Sequence, residues 1–476
     1  MRATTKAWPR AVMAALACTV FVLGSGARFA RATEELELPP LERATFDNGL
    51  RVVAAEYRNL PLVELTMLIG AGAAQDPDGK SGLANFVGGA LKRGTGTYDA
   101  QQFAAAVESL GADLDTATGY ETTVITAEFL VKNIGPGLEL VAGMILDPAF
   151  RRGEVARERA EILAGFRARY EDPNAIAAEC FPTFLYGSHP YGRSVDGRPA
   201  TVESIGPKDV RKFYERYYRP NNAVVVIVGD LPAARLLEAL RTAFAAWPRG
   251  EPPPARLPPP APVRDRRILV IDKPGATQAQ IRFGNVAIAR RDPGYTVAQV
   301  ANTVLGGGFS SRLMQELRIK RSLTYGASSQ FVARRAGGDF RVGTSTKVPT
   351  TGETVRLALD EIGRFRDRPP TEPELVKARG FLRGQFPQRL QSPDALAGHL
   401  AEIEWYGLDL EELTQYRARV GAVSRDDVRT LVERAVPRPE TAAIVVVGPA
   451  AEIVPALEGL GPVQVTTPEH CGDAPG

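Results

Sequence analysis

From about residue 40 onward, β-branched runs of strand length are interleaved with stretches of helical period, without strict strand–helix alternation. Val63 to Ile69 and Thr122 to Phe129 read as strands. Ala100 to Leu110 sets Phe103, Val107 and Leu110 on one face, with Gly111 as a stop, and reads as a helix. Asp47-Asn48-Gly49 between two apolar runs predicts a hairpin. Such a mixture predicts an α+β fold of mostly antiparallel sheets packed with helices.

The pattern occurs twice. Asp209-Val210-Arg211 returns as Asp427-Val428-Arg429, and Val224 to Gly229 returns as Ala443 to Gly448 at almost the same offset along the chain. Each copy is an amphipathic helix, a proline-bearing turn and a buried strand ending in Gly. Gly206-Pro207 opens the first helix and Ser424 with Asp427 the second, both sound helix starts. Between the copies, Glu251 to Pro260 holds six prolines, which neither a helix nor a central strand accepts. These signals predict two homologous halves, 40–250 and 264–466, joined by a stiff linker at 251–263, with a flexible tail at 467–476.

The segment 1–32 stands apart. Arg2, Lys6 and Arg10 precede an apolar run from Ala11 to Gly24 and an Ala30-Arg31-Ala32 end, which predicts an export signal cut before Thr33 and a bacterial periplasmic location. That leader carries five positive residues and no acid, so its removal takes the formal charge of the chain from +3 to about −2. No basic excess then remains to favour nucleic acid or anionic membrane. Cys180 and Cys471 are too far apart to form a disulfide framework, although one bridge is chemically permitted after export. Free thiols are the expectation.

Ser81 to Arg93 has Leu83, Phe86, Val87, Ala90 and Leu91 at helical spacing, with Asn85, Gly88 and Gly89 together on another face. Two adjacent glycines inside a helix cost about 1 kcal/mol each against alanine, so propensity did not select them. Gly82-Leu83-Ala84-Asn85-Phe86-Val87-Gly88-Gly89-Ala90-Leu91-Lys92-Arg93-Gly94-Thr95 resembles the signature of the pitrilysin/insulinase family of zinc peptidases. That family carries H-x-x-E-H on this helix. By the resemblance, its histidines fall at Asn85 and Gly89, its general base at Gly88, and its third ligand at Gly165 in a stretch similar to Glu158 to Gly165. Glycine offers zinc no ligand atom and a neutral amide is a poor one, so this chain is expected to hold no metal. The three histidines, His189, His399 and His470, assemble no alternative triad; His399-x-x-Glu402 mimics the motif's start, but Ile403 stands where its second histidine belongs.

In the second half, Leu305 to Leu313 carries three glycines and opens a helix with Ser310 or Ser311 as its cap, and no Gly-Lys-Ser/Thr follows to make a phosphate loop. Leu323 to Ala327 reads as a strand. Arg318 and Tyr325, seven residues apart, match the arginine and tyrosine that the family uses to donate to a bound peptide near its scissile carbonyl. Ala112 to Thr118 matches the edge strand on which relatives add their substrate, although Gly119-Tyr120-Glu121 departs from the usual charged sequence.

The resemblance implies a non-catalytic, substrate-binding subunit of a heterodimeric periplasmic zinc endopeptidase. Zinc would reside in the homologous partner, and unfolded polypeptide or peptide would be the substrate. A stand-alone peptide-binding or scaffold protein is the alternative, and an active metallopeptidase with unorthodox ligands is the third reading.

Overall fold

The computed structural model describes residues 37–253 and 257–471; the expected leader, residues 254–256 of the linker and the last five residues lie outside that span. Two six-stranded sheets organise the described residues. The first contains β1 (Leu41–Thr45), β2 (Arg51–Glu56), β3 (Leu62–Ile69), β4 (Asp113–Thr118), β5 (Thr123–Leu130) and β6 (Ala223–Gly229). The second contains β7 (Arg267–Asp272), β8 (Gln278–Ala287), β9 (Ala327–Val332), β10 (Gly338–Lys347), β11 (Ala443–Gly448) and β12 (Val463–Thr466).

Their orders, β1-β2-β6-β3-β5-β4 and β12-β7-β11-β8-β10-β9, correspond element by element apart from the first edge strand. In both, the strand ending in Gly lies parallel to its equivalent neighbour, β6 to β2 and β11 to β7, with Glu56 opposite Gly229 and Asp272 opposite Gly448. The remaining inner pairs of each sheet are antiparallel. This is the duplicated α+β architecture that the repeated pattern predicts. The hairpin at Asp47-Asn48-Gly49 joins β1 to β2, with Gly49 at φ 89°, where a side chain would be strained.

The two halves are interlocked by exchanged helices. Pro173–Tyr186, from the first half, packs on β8 and β11 of the second sheet, whereas Pro393–Tyr406, from the second half, packs on β3 and β6 of the first. Each begins with proline, runs for 14 residues and stops at a glycine, Gly187 or Gly407. Leu396, Ala397, Leu400 and Ile403 are buried in one cluster with Val224, Val226 and Val228. Each such large side chain contributes about 1.5–3 kcal/mol on burial. The exchange is finished by a tyrosine at each helix end. Tyr406 Oη donates to Glu121 Oε2 at 3.1 Å, and Tyr186 Oη to Asp339 Oδ1 at 2.9 Å. Glu121 also accepts from the Tyr191 hydroxyl and from the Arg335 backbone N–H at 2.9 Å. Arg334 pairs with Asp339 at 3.0 Å and lies over the rings of Tyr120, Tyr186 and Tyr191.

Four expectations are corrected. Cys180 and Cys471 form a disulfide, with Cα atoms 5.7 Å apart. Residues 467–471 turn back onto the first half: Pro468 is buried, Arg198 Nη1 donates to Glu469 O at 3.3 Å, and Cys471 reaches the exchanged helix that carries Cys180. Leu323 to Gly326 is not strand; β9 begins at Ala327, because Thr324 Oγ1 and Thr344 Oγ1 bond the Gly326 backbone in place of a ladder partner. The helix after the glycine-rich loop is largely a π-helical segment, Met314–Lys320, and the buried Ser311 hydroxyl makes no capping bond. No helix of the described residues is long and apolar enough to cross a membrane.

Candidate functional site

Helix Leu83–Leu91 is held at its start by a carboxylate. Asp76 accepts from the backbone N–H of Gly82 at 2.7 Å and of Ala84 at 2.8 Å, which satisfies two of the donors that a helix start leaves open. Burial pushes the Asp76 carboxyl up to about 7, against the lowering effect of those N–H groups. Gly82, at φ 92°, makes this entry, and a Cβ there would meet Asp196 O at 2.7 Å.

The helix packs beside Arg152–Arg169, the helix that carries Glu158 and Gly165. A Cβ on Gly89 would lie 2.0 Å from Glu158 Oε1, so the Glu158 carboxylate occupies the space of the missing side chain. Arg93, one turn beyond Gly89, binds that carboxylate at 2.8 Å and also pairs with Glu161. Burial raises Glu158's pKa and Arg93 opposes the rise. A Cβ on Gly88 would lie 2.8 Å from Thr118 Oγ1, and Thr116 Oγ1 donates to the Gly88 carbonyl at 3.0 Å. Asn85 Nδ2 donates to Asp196 at 3.2 Å, and Asp196 is paired with Arg169 at 2.6 Å. Nothing would crowd a side chain at Gly165.

These residues do not fit a zinc ion. The amide of Asn85 is committed as a donor, and two of the carboxylates nearby, Glu158 and Asp196, are bound by guanidinium groups. Among the described residues, no group of three His, Cys, Asp or Glu is arranged to hold a metal. His399 lies half-buried on the exchanged helix Pro393–Tyr406, and His189 bonds Pro258 O.

Arg318 and Tyr325 line one cleft of about 680 Å³, together with Arg321, Thr324 and Lys347. Its walls belong to the second half, and no residue of helix Leu83–Leu91 lines it. Arg318 stacks on the Phe309 ring at 5.0 Å, and Tyr325 is 83% exposed. Neither the guanidinium nor the phenol hydroxyl donates to another described residue. Two uncommitted donors face the same opening. β4, by contrast, is an edge strand whose one sheet partner is β5.

Sequence reasoning missed Arg93, Glu158 and Asp196 as the groups that fill the altered site. Arg93 stands four residues after Gly89, a helical neighbour, which was the available signal; the reach of Asp196 from a distant loop had none.

Residues 51–197 match a model described as Insulinase (Peptidase family M16), and residues 204–382 one described as Peptidase M16 inactive domain. An uncharacterized zinc protease of Streptomyces coelicolor is 26% identical over 82% of this chain and 86% of its own. The non-peptidase homolog YmxG of Helicobacter pylori is 26% identical over 75% and 83% respectively. Among solved structures, a peptidase M16 inactive domain from Pseudomonas fluorescens superposes with a TM-score of 0.81 and 28% identity, over 86% of this chain and 98% of that one. The periplasmic protease PqqL of Escherichia coli superposes with a TM-score of 0.73 and 18% identity, over 90% of this chain and 50% of that one.

Proposed function

The chain belongs to the insulinase (M16) family as a member without the H-x-x-E-H motif, and from that premise we propose that it is the substrate-binding subunit of a two-chain periplasmic zinc endopeptidase. Zinc and general base belong to a homologous partner; this chain contributes Arg318 and Tyr325. The observation that carries the reading is the shared cleft, in which a guanidinium and a phenol present uncommitted donors and Tyr325 stands 83% exposed. Both donors are free of hydrogen bonds to other described residues and open on the same cleft, where a ligand can meet them. Both groups donate hydrogen bonds suited to a peptide carbonyl that gains negative charge, and one such donor is worth about 3 kcal/mol in a transition state.

The periplasmic location is supported by the pattern of the segment 1–32 and by the likeness to the periplasmic protease PqqL of Escherichia coli. The need for a partner follows from the altered first half, whose side chains cannot activate water by way of a metal. The test is turnover of an unfolded polypeptide by this chain together with a zinc-bearing homologue. Arg318→Ala and Tyr325→Phe should each lower it at least about tenfold, which is about 1.4 kcal/mol. Full turnover in both variants would remove the reading. Because the cleft is walled by the second half alone, a stand-alone peptide-binding protein is the second reading. Peptide binding by the isolated chain, with no gain in cleavage from any zinc-bearing homologue, would favour it.

A further inference from the structure

The duplication supplies an internal comparison of the two sheets. On the first, Glu64 of β3 stands opposite Glu128 of β5, and Glu128 opposite Asp113 of β4. On the second, the equivalent face carries Gln280 opposite Ser345, with Arg282 and Arg341 beside them on β8 and β10. One face is acidic and its counterpart is basic.

The basic face encloses a cavity of about 440 Å³ beside the exchanged helix Pro173–Tyr186, which contributes Ala178 and Phe181 to its wall. Arg282 lies flat across Gly343: a Cβ on that glycine would come within 2.8 Å of Arg282 Nη1. Its guanidinium bonds Asn174 Oδ1 and the Ile281 carbonyl, and among the described residues it has no carboxylate partner. Arg341 Nε is 3.4 Å from Asp339 Oδ2 without hydrogen-bond geometry, and Asp339 is already paired with Arg334. Burial, and then the neighbouring Arg341 charge, weaken Arg282's hold on its proton, as expected where positive charge is under-neutralised. Ser345 lines both this cavity and the Arg318–Tyr325 cleft. Along β8, Gln278 in the cleft and Arg282 in the cavity are four residues apart, roughly 13 Å at strand rise.

We propose that the Arg282–Arg341 cavity is a carboxylate subsite, which takes an acidic side chain or the C-terminal carboxylate of an extended peptide about four residues from the group held by Arg318 and Tyr325. Two guanidinium groups in a partly dry pocket match a carboxylate in charge and in fork geometry. The ligand rests on the peptide-binding reading above; the site does not.

Two measurements test this. Fluorescence anisotropy would use three rhodamine-labelled dodecapeptides of one Ala/Ser/Gln composition: amidated without acid, amidated with one internal Glu, and acid-free with a free C-terminus. One carboxylate-bearing peptide should bind at least tenfold tighter than the neutral one, and which one does so identifies the source. That preference should vanish in Arg282→Gln, Arg341→Gln and Gly343→Ala while neutral-peptide affinity is kept. Equal affinity for all three peptides, or a preference that survives these variants, would overturn the proposal. Anomalous diffraction from crystals of the whole protein soaked in sodium bromide reads the site without peptide. A bromide between the two guanidinium groups is expected, and its absence would overturn the subsite whatever the peptides do. Bromide bound there with no peptide bound anywhere would instead sink the peptide-binding reading and leave an anion site.

Discussion

Glu158 places its carboxylate where Gly89 lacks a side chain: Oε1 lies 2.0 Å from the position of a Cβ on that glycine. The two residues come from different helices, and Arg93 fixes the arrangement by pairing with the same carboxylate. The altered site is therefore a packed ionic contact with its own geometry, and the glycine is a requirement of it.

That relationship gives a sign reversal. Gly89→Ala gains about 1 kcal/mol of helix propensity but displaces a buried, paired carboxylate, which costs about 1–3 kcal/mol. Net destabilisation is expected in urea unfolding of the wild-type background. In a Glu158→Ala background the same substitution should be stabilising. A destabilisation of equal size in both backgrounds would show that the contact does not select the glycine.

Stability should depend on pH through Glu64. It is buried on β3, and burial first, then Glu128, Asp394 and Asp113, push its pKa up to about 8. An acid whose folded pKa is raised binds more protons folded than unfolded, so its contribution is least harmful at low pH. Stability falls as pH rises between about 4.5 and about 8, by at most about 1.4 kcal/mol per pH unit for one group. Asp76, raised to about 7, acts in the same direction. Glu374 opposes them only at the acid end: Arg312 holds it down at about 2, and its stabilisation is lost as pH falls below about 4.5. Urea midpoints measured from about pH 4.5 to about pH 8.5 should drop more steeply for the wild type than for Glu64→Gln. Parallel slopes would exclude Glu64 as the source.

The Cys180–Cys471 bridge closes a very long loop, with a sequence separation of 291. Chain entropy alone gives such a bridge about 5.7 kcal/mol, and measured values for native bridges fall at about 2–5 kcal/mol. Cys471→Ser should lose stability in that range and free residues 467–471 from the first half. A non-reducing peptide map of the oxidised protein should contain the linked 180–471 fragment. Two separate thiol peptides in that map would exclude the bridge.

Legibility differed by the range of the interaction. The hairpin at Gly49, the strands β3 and β5, the helix at Ala100–Ser109 and the doubling of the fold all follow from local period and turn chemistry, and the sequence displays them. That Asn85, Gly88, Gly89 and Gly165 offer no imidazole or carboxylate is equally a property of residue identity. What fills the space beside them was hidden. Arg282 and Arg341 each look like a solvated strand residue in the sequence, and only the register of β8 and β10 sets them on one face.

The sequence by itself determined the two-fold repetition, the kinds of element and the chemistry that the first-half helix can no longer perform, because these depend on neighbours in the chain. Tertiary structure alone decided that helices Pro173–Tyr186 and Pro393–Tyr406 cover each other's sheets, that Cys471 meets Cys180, and that Glu158 fills the space above Gly89. Each of these is a contact between residues far apart in the chain, selected by packing and charge after the elements have formed, and no local pattern encodes the distance between two such partners.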